Sequence, residues 1–197
     1  MQLLVSGASP FVRKVRVVVR ETGQVGDVEE VPVTTAPMGT APEVASANPL
    51  GKIPALLRED GPAIYDSRVI TRYLDARVGA DLYPEGRLWE TLTLEATADG
   101  IMEAAVLMTY QARFGTEPQP WIGAQWDKIA RAVEIVEQRW MSHLEGPLDA
   151  AQIAVGCALG YLDLRLSERG WRSGALALSE WESRFAARES MAATRPE

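Results

Sequence analysis

The sequence predicts an α/β domain with a mixed four-stranded sheet, followed by an all-α domain. Three observations carry this expectation. Up to residue 77, short apolar runs alternate with amphipathic stretches in the order β-α-β and then β-β-α. Turn formers and Pro84 then fill residues 79–86. Beyond them, apolar residues step by three and four in successive stretches, the stripe of amphipathic helices. The expected division is therefore 1–78 for the α/β domain, 79–85 for a linker and 86–197 for the helical domain.

Residues 2–7 read as a buried strand, with Leu3, Leu4 and Val5 ahead of a turn at Gly7. Pro10 suits the first position of a helix, where its missing N–H costs nothing, and Ser9 falls at the N-cap. That helix is expected to reach about residue 22, with Phe11, Val15, Val18 and Val19 on one side and Gly23 as its stop. Residues 28–33 read as a second strand. Residues 34–47, rich in Pro, Thr, Ala and Gly, hold at most a short irregular helix. Two short strands at 55–57 and 63–65 flank a turn-rich loop, and a helix follows from Ser67 to about Val78 with Val69, Ile70, Tyr73 and Leu74 as its apolar side.

In the second domain a long helix is expected over 88–114. One face carries Leu94, Ala98, Ile101, Ala105 and Met108; another carries Glu95, Asp99, Met102, Val106 and Tyr110, and the core stripe is expected to leave its two acids solvated or at an interface. A further helix over 121–144 carries Trp126, Ile129, Val133, Val136 and Trp140. Asp149 and Gln152 make a capping-box start, and the stretch 153–162 after it is apolar all round, the mark of a buried central helix. Gly156 and Gly160 allow close packing there.

Composition bounds the function. The formal net charge of −7 argues against nucleic acid or an anionic membrane as the main partner. A single cysteine, Cys157, excludes an intramolecular disulfide and fits a reducing, cytoplasmic setting. No apolar run approaches the roughly 18 residues of a membrane span, and the N-terminus lacks a signal-peptide pattern. No histidine or cysteine cluster suggests a metal, and His143 reads as a helix-end residue.

Three motifs remain: Ser9-Pro10-Phe11 after the first strand, Lys52-Ile53-Pro54 some forty residues on, and Asp66-Ser67 at the next helix start. In this order and spacing they resemble the glutathione S-transferases, in a bacterial, serine-type form. The tail, with Trp181, Arg184, Phe185, Arg188 and Thr194, also resembles that family's ending. The resemblance implies a thioredoxin-like N-terminal domain, glutathione as co-substrate, and a homodimer. It implies that Ser9 donates a hydrogen bond to the glutathione thiolate. Phe11, Lys52, Ile53, Pro54, Asp66 and Ser67 would bind the tripeptide: a cis Ile53–Pro54 bond at the cysteinyl unit, Lys52 at a carboxylate, and Asp66 with Ser67 (read as a helix N-cap) at the γ-glutamyl end. Met102, Val106, Tyr110 and Phe114 would wall the pocket of a small hydrophobic electrophile, which the thiolate attacks. A glutathione-dependent isomerase or peroxidase, or a non-catalytic binding module of the same fold, are the alternatives.

Each motif also has a plainer reading. Ser9 and Ser67 alone are ordinary helix caps, Pro54 alone is a trans proline opening a strand, and Lys52 alone is a solvated lysine. Relatives with cysteine in place of the serine carry out thiol–disulfide chemistry; Ser9-Pro10-Phe11-Val12 has neither sulfur, and Cys157 reads as buried packing, so no mixed disulfide is expected. Asp149 and Gln152 depart from the family's usual Ser or Thr and acid at the central helix, and residues 34–47 match nothing specific.

Overall fold

The computed structural model describes residues 1–34, 38–115 and 119–196. The chain forms two compact units, one of Met1–Tyr83 with the tail from Ala193 onward, the other of Pro84–Ala192.

In the first unit, strand β1 (Gln2–Val5) lies between a parallel neighbour, β2 (Glu29–Pro32), and an antiparallel one, β3 (Ala55–Leu57). Among the described residues the sheet has three strands, not the four expected. Residues 63–65 contribute a single antiparallel bridge, in which Leu56 and Ile64 exchange hydrogen bonds of 3.0 and 2.9 Å. Pro62 has no N–H to extend that ladder, and two residues beyond Ile64 the chain is already capping the next helix. Residues 35–37 of the expected irregular stretch lie outside the described residues; the stretch does end in a short helix, α2 (Pro42–Ala47).

Successive strand residues point to opposite faces. Leu4 packs with Val44, Ala47 and Ala55, while Leu3 and Val5 are buried on the other side, so both faces are covered and the run Leu3-Leu4-Val5 is unbroken. Helix α1 (Pro10–Glu21) packs against α3 (Ser67–Val78). The buried side of α1 is broader than expected: Val12, Val17 and Lys14 join Val15, Val18 and Val19, whereas Phe11 is half-buried. On α3, Ile70 and Leu74 are fully buried, but Val69, one residue off that stripe, is 49% exposed.

The second unit holds α4 (Leu88–Phe114), α5 (Gln119–Arg139), α6 (Met141–Leu144), α7 (Ala150–Arg165), α8 (Leu176–Phe185) and α9 (Glu189–Ala192). The expected helix over 121–144 is two helices, separated at Trp140 (φ −113°, ψ 0°), whose ring meets His143 edge-on at 5.7 Å. Helix α7 is the central one, buried without interruption from Ala150 to Leu159, Cys157 included. A Cβ on Gly156 would stand 2.7 Å from a ring carbon of Phe185 and 3.1 Å from the Met191 methyl, so this glycine is what lets the helix end of α8 approach.

Asp149 and Gln152 close the capping box as expected. Asp149 has no exposed surface, and its carboxylate also accepts from Thr91 Oγ1 at 3.0 Å and lies 2.8 Å from His143 Nε2 and 3.4 Å from Arg87 Nε. His143 is thus more than a helix-end residue. It joins the start of α7 to α6.

The second face of α4 requires correction. Glu95, Asp99 and Met102 are buried, at 1%, 4% and 0% exposure, where the acidic residues were expected to be left free. Packing against both α5 and α7 covers more of α4 than one stripe. Its exposed face runs instead through Trp89, Thr93, Ala96, Gly100, Glu103 and Leu107. Among the described residues no helix is long and apolar enough to cross a membrane.

Candidate functional site

Strand register brings the N-terminal motifs to one end of the sheet. Leu4 pairs with Ala55, so Pro54 falls opposite Val5, the last residue of β1 before the turn into α1. Leu56 pairs with Ile64, two residues before Asp66, so the chain enters α3 from beside the strand that follows Pro54. Neighbouring strands run about 4.8 Å apart. The start of α1, the Ile53–Pro54 bend and the start of α3 are therefore adjacent along one sheet end.

At the first of these, Ser9 is the N-cap of α1, in extended backbone (φ −79°, ψ 122°), and its Oγ accepts the Val12 N–H at 3.3 Å. Capping uses the hydroxyl as an acceptor and leaves its proton to donate elsewhere. Pro10 has no N–H, and the Phe11 N–H takes part in no hydrogen bond among the described residues. A hydroxyl proton and a backbone donor thus stand together at the positive end of a helix.

The Ile53–Pro54 bond is cis, as expected. Ile53 gives neither its N–H nor its carbonyl to a backbone hydrogen bond among the described residues. The preceding loop is held by Asn48, whose Nδ2 donates to the Lys52 carbonyl at 2.8 Å and whose Oδ1 accepts from Leu50 N at 3.0 Å. Gly51 stands at φ +65°, where a side chain would be strained and would also meet Thr40 Oγ1 at 2.6 Å. Lys52 itself is exposed.

At α3 the roles within the pair differ from expectation. Asp66, not Ser67, is the N-cap, and its Oδ1 accepts the Arg68 N–H at 3.0 Å; Ser67 is the first helical residue. The Tyr65–Asp66 peptide is also cis. The Arg68 guanidinium donates to Asp66 Oδ2 at 2.9 Å. Burial pushes the Asp66 carboxyl up, but the Arg68 hydrogen bond and charge, its N–H, and the charge of Lys14 together bring it below the ordinary 3.8. It is a carboxylate at neutral pH. Ser67 is only 2% exposed, yet its hydroxyl takes part in no hydrogen bond among the described residues. This hydroxyl sits at a helix start beside a carboxylate.

The four residues expected to wall a second pocket follow one line of α4. Met102 is fully buried, Val106 half-buried, and Tyr110 and Phe114 are 37% and 48% exposed with ring centroids 6.5 Å apart. Burial, and after it the Tyr161 phenol, holds the Tyr110 hydroxyl above the usual tyrosine range despite Arg113.

Sequence reasoning missed two charged residues. Arg68 could have been found from its spacing to Asp66. Lys14, 1% exposed, stands three residues after Phe11 and next to Val15, an apolar position that a solvated lysine does not occupy.

Comparison with known proteins identifies the family. Residues 8–77 match the family model for the glutathione S-transferase N-terminal domain, and residues 119–184 the model for the C-terminal domain. The uncharacterized GST-like protein YibF of Escherichia coli K12 is 32% identical over 204 residues, covering 100% of this chain and 98% of the relative. A glutathione transferase family member from Pseudomonas fluorescens Pf-5, solved with bound glutathione, is 42% identical with a TM-score of 0.97, over 100% of this chain and 98% of that one. Its structure with bound S-(propanoic acid)-glutathione matches at 41% identity and a TM-score of 0.91, over 100% of both chains.

Proposed function

Because this chain belongs to the glutathione S-transferase family, we propose that it is a glutathione transferase that adds the glutathione thiolate to a small hydrophobic electrophile. The observation that carries this reading is the pairing of two helix starts at one sheet end, Ser9 with a proton to donate and Ser67 with a hydroxyl that makes no hydrogen bond among the described residues. The Pseudomonas relative holds glutathione in one structure and a glutathione carrying a carbon substituent on sulfur in another, which favours conjugation over the isomerase and peroxidase alternatives.

Glutathione brings two carboxylates, one ammonium and a thiol of pKa about 8.5. The α-carboxylate at the γ-glutamyl end takes the Ser67 hydroxyl and the first N–H groups of α3, where the helix dipole favours an anion. Asp66, ionised at neutral pH, takes the ammonium. The cysteinyl unit pairs with the backbone of Ile53, and Lys52 reaches a carboxylate of the peptide. The sulfur then lies against the Ser9 hydroxyl and the Phe11 N–H. Only the thiolate is a strong nucleophile, so donors that favour it over the thiol raise the reactive fraction at neutral pH. The thiolate attacks the electrophilic carbon, and the leaving group or the developing anion departs with the electron pair.

Ser67→Ala is expected to weaken glutathione binding by about 1–3 kcal/mol, the cost of one charge-assisted hydrogen bond. Titration calorimetry checks this, and unchanged affinity would remove Ser67 from the site.

A homodimer is part of the same reading. The free face of α4 is a stripe at steps of three and four: Trp89 at 76% exposure and Leu107 at 44% flank the small residues Thr93, Ala96 and Gly100. Small residues let two helices approach closely, and the exposed tryptophan supplies an apolar anchor. Light scattering at micromolar concentration should give twice the mass of the 21.6 kDa chain, and Gly100→Arg should give the monomer. A monomeric parent protein would sink the dimer.

A further inference from the structure

At the start of α3, every hydrogen bond of the Asp66 carboxylate among the described residues comes from one neighbour, Arg68. The Arg68 backbone N–H donates to Asp66 Oδ1 at 3.0 Å, its Nε to the same oxygen at 3.4 Å, and its Nη2 to Oδ2 at 2.9 Å. An aspartate carboxylate turns readily about its last torsion, whose preferences are broad. A planar guanidinium that meets both oxygens takes that freedom away, which a single ammonium cannot do. Both side chains are half-exposed, at 50% and 52%, so this oriented pair faces solvent. Exposed ion pairs add little to stability, and orientation is what this one supplies.

The same contacts leave one place for a further donor. A carboxylate offers about four acceptor sites. Oδ1 already accepts two N–H groups, whereas Oδ2 accepts one. We propose that Arg68 is a positioning residue for glutathione: its fork sets the Asp66 carboxylate so that Oδ2 presents its remaining site to the γ-glutamyl ammonium, a role that rests on the glutathione reading above. A guanidinium would repel a simple amine at that position. The γ-glutamyl end carries an α-carboxylate on the same carbon as its ammonium, so it brings no net charge, and solvent and salt screen what repulsion remains. Arg68 also helps to keep Asp66 ionised, the state in which it accepts the ammonium.

The test is calorimetric titration of glutathione into the full-length protein and its Arg68→Gln, Arg68→Lys, Asp66→Asn and doubly substituted variants, with thermal unfolding measured alongside. Arg68→Gln should weaken binding about threefold to fivefold, the size that an exposed pair allows. Arg68→Lys keeps the charge without the fork and should recover only part of that loss. Asp66→Asn retains a helix cap but offers no carboxylate to orient. In its background Arg68→Gln should cost less than about twofold, a coupling that a general loss of structure would not produce. If Arg68→Gln does not fold, Arg68→Lys with and without Asp66→Asn decides the matter by the same comparison. Parent-like affinity in a folded Arg68→Gln variant would overturn the proposal. So would an undiminished loss in the Asp66→Asn background, because Arg68 would then not act through Asp66, and so would full recovery by lysine, because charge alone would then suffice. A parent protein that binds no glutathione would instead overturn the function on which the inference rests.

Discussion

Replacing Ser9 by alanine should raise the thiol pKa of bound glutathione by about one to two pH units, at about 1.36 kcal/mol per unit. The thiolate absorbs in the ultraviolet, so a pH titration of the complex reports the change directly. Affinity should alter little, because the proposed contacts to the carboxylates and the ammonium lie at α3 and Lys52. Turnover of a generic electrophile such as chlorodinitrobenzene at neutral pH should fall by a similar factor, about ten- to hundredfold. Ser9 also caps α1 through the Val12 N–H, so the alanine variant should lose about 1 kcal/mol of stability as well. Ser9→Thr keeps both the cap and the donor and is expected to retain most of the activity. If the alanine variant keeps its rate and its thiol pKa, Ser9 is only a cap, and the Phe11 N–H would be the next donor to test.

The second large effect should appear in stability, at Asp149. This fully buried carboxylate accepts the Ala151 and Gln152 N–H groups at 3.0 and 3.2 Å while binding Thr91 and His143. Alanine there removes the cap of the central helix and strands several polar partners in the interior. A loss of about 3–5 kcal/mol is expected, at the upper end for single substitutions, because the partners stay buried without their acceptor. Asparagine retains the cap but not the charge and should cost about 1–2 kcal/mol. Urea unfolding would show a lower midpoint at constant slope. A midpoint within experimental error of the parent would mean that the capping box contributes nothing to stability.

The features legible in the sequence are those set by chemistry within a few residues. Ser9-Pro10 marks the start of α1 because a capping hydroxyl and a proline without an N–H satisfy the same helix end from neighbouring positions. Asp149 and Gln152 mark α7 in the same way, and the unbroken apolar run after them identifies it as the central helix. The long helix α4 was readable from its periodicity at both ends, Leu88 and Phe114. The cis bond at Ile53–Pro54 was readable only through resemblance, since an isolated X–Pro pair is ordinarily trans.

The local pattern was silent where neighbours distant in sequence made the choice. Two residues able to cap stand side by side at α3, and only the course of the chain out of the Leu56–Ile64 bridge decides that Asp66 caps while Ser67 enters the helix. The same short bridge reduces an expected strand to one pair. Glu95 and Asp99 look solvated in a linear reading because carboxylates usually are, yet they are buried, and the free stripe of α4 lies elsewhere. Lys14 is the clearest case: its letter signals the surface, while its place on an apolar helix side carries it inside. By itself the sequence determined the change from an α/β to a helical part, the caps of α1 and α7 and the motifs that resemble the family, because these depend on bonds spanning a few residues. Tertiary structure alone decided which polar groups are withdrawn from water and which motifs meet at one sheet end, because burial and register depend on what other segments pack against them.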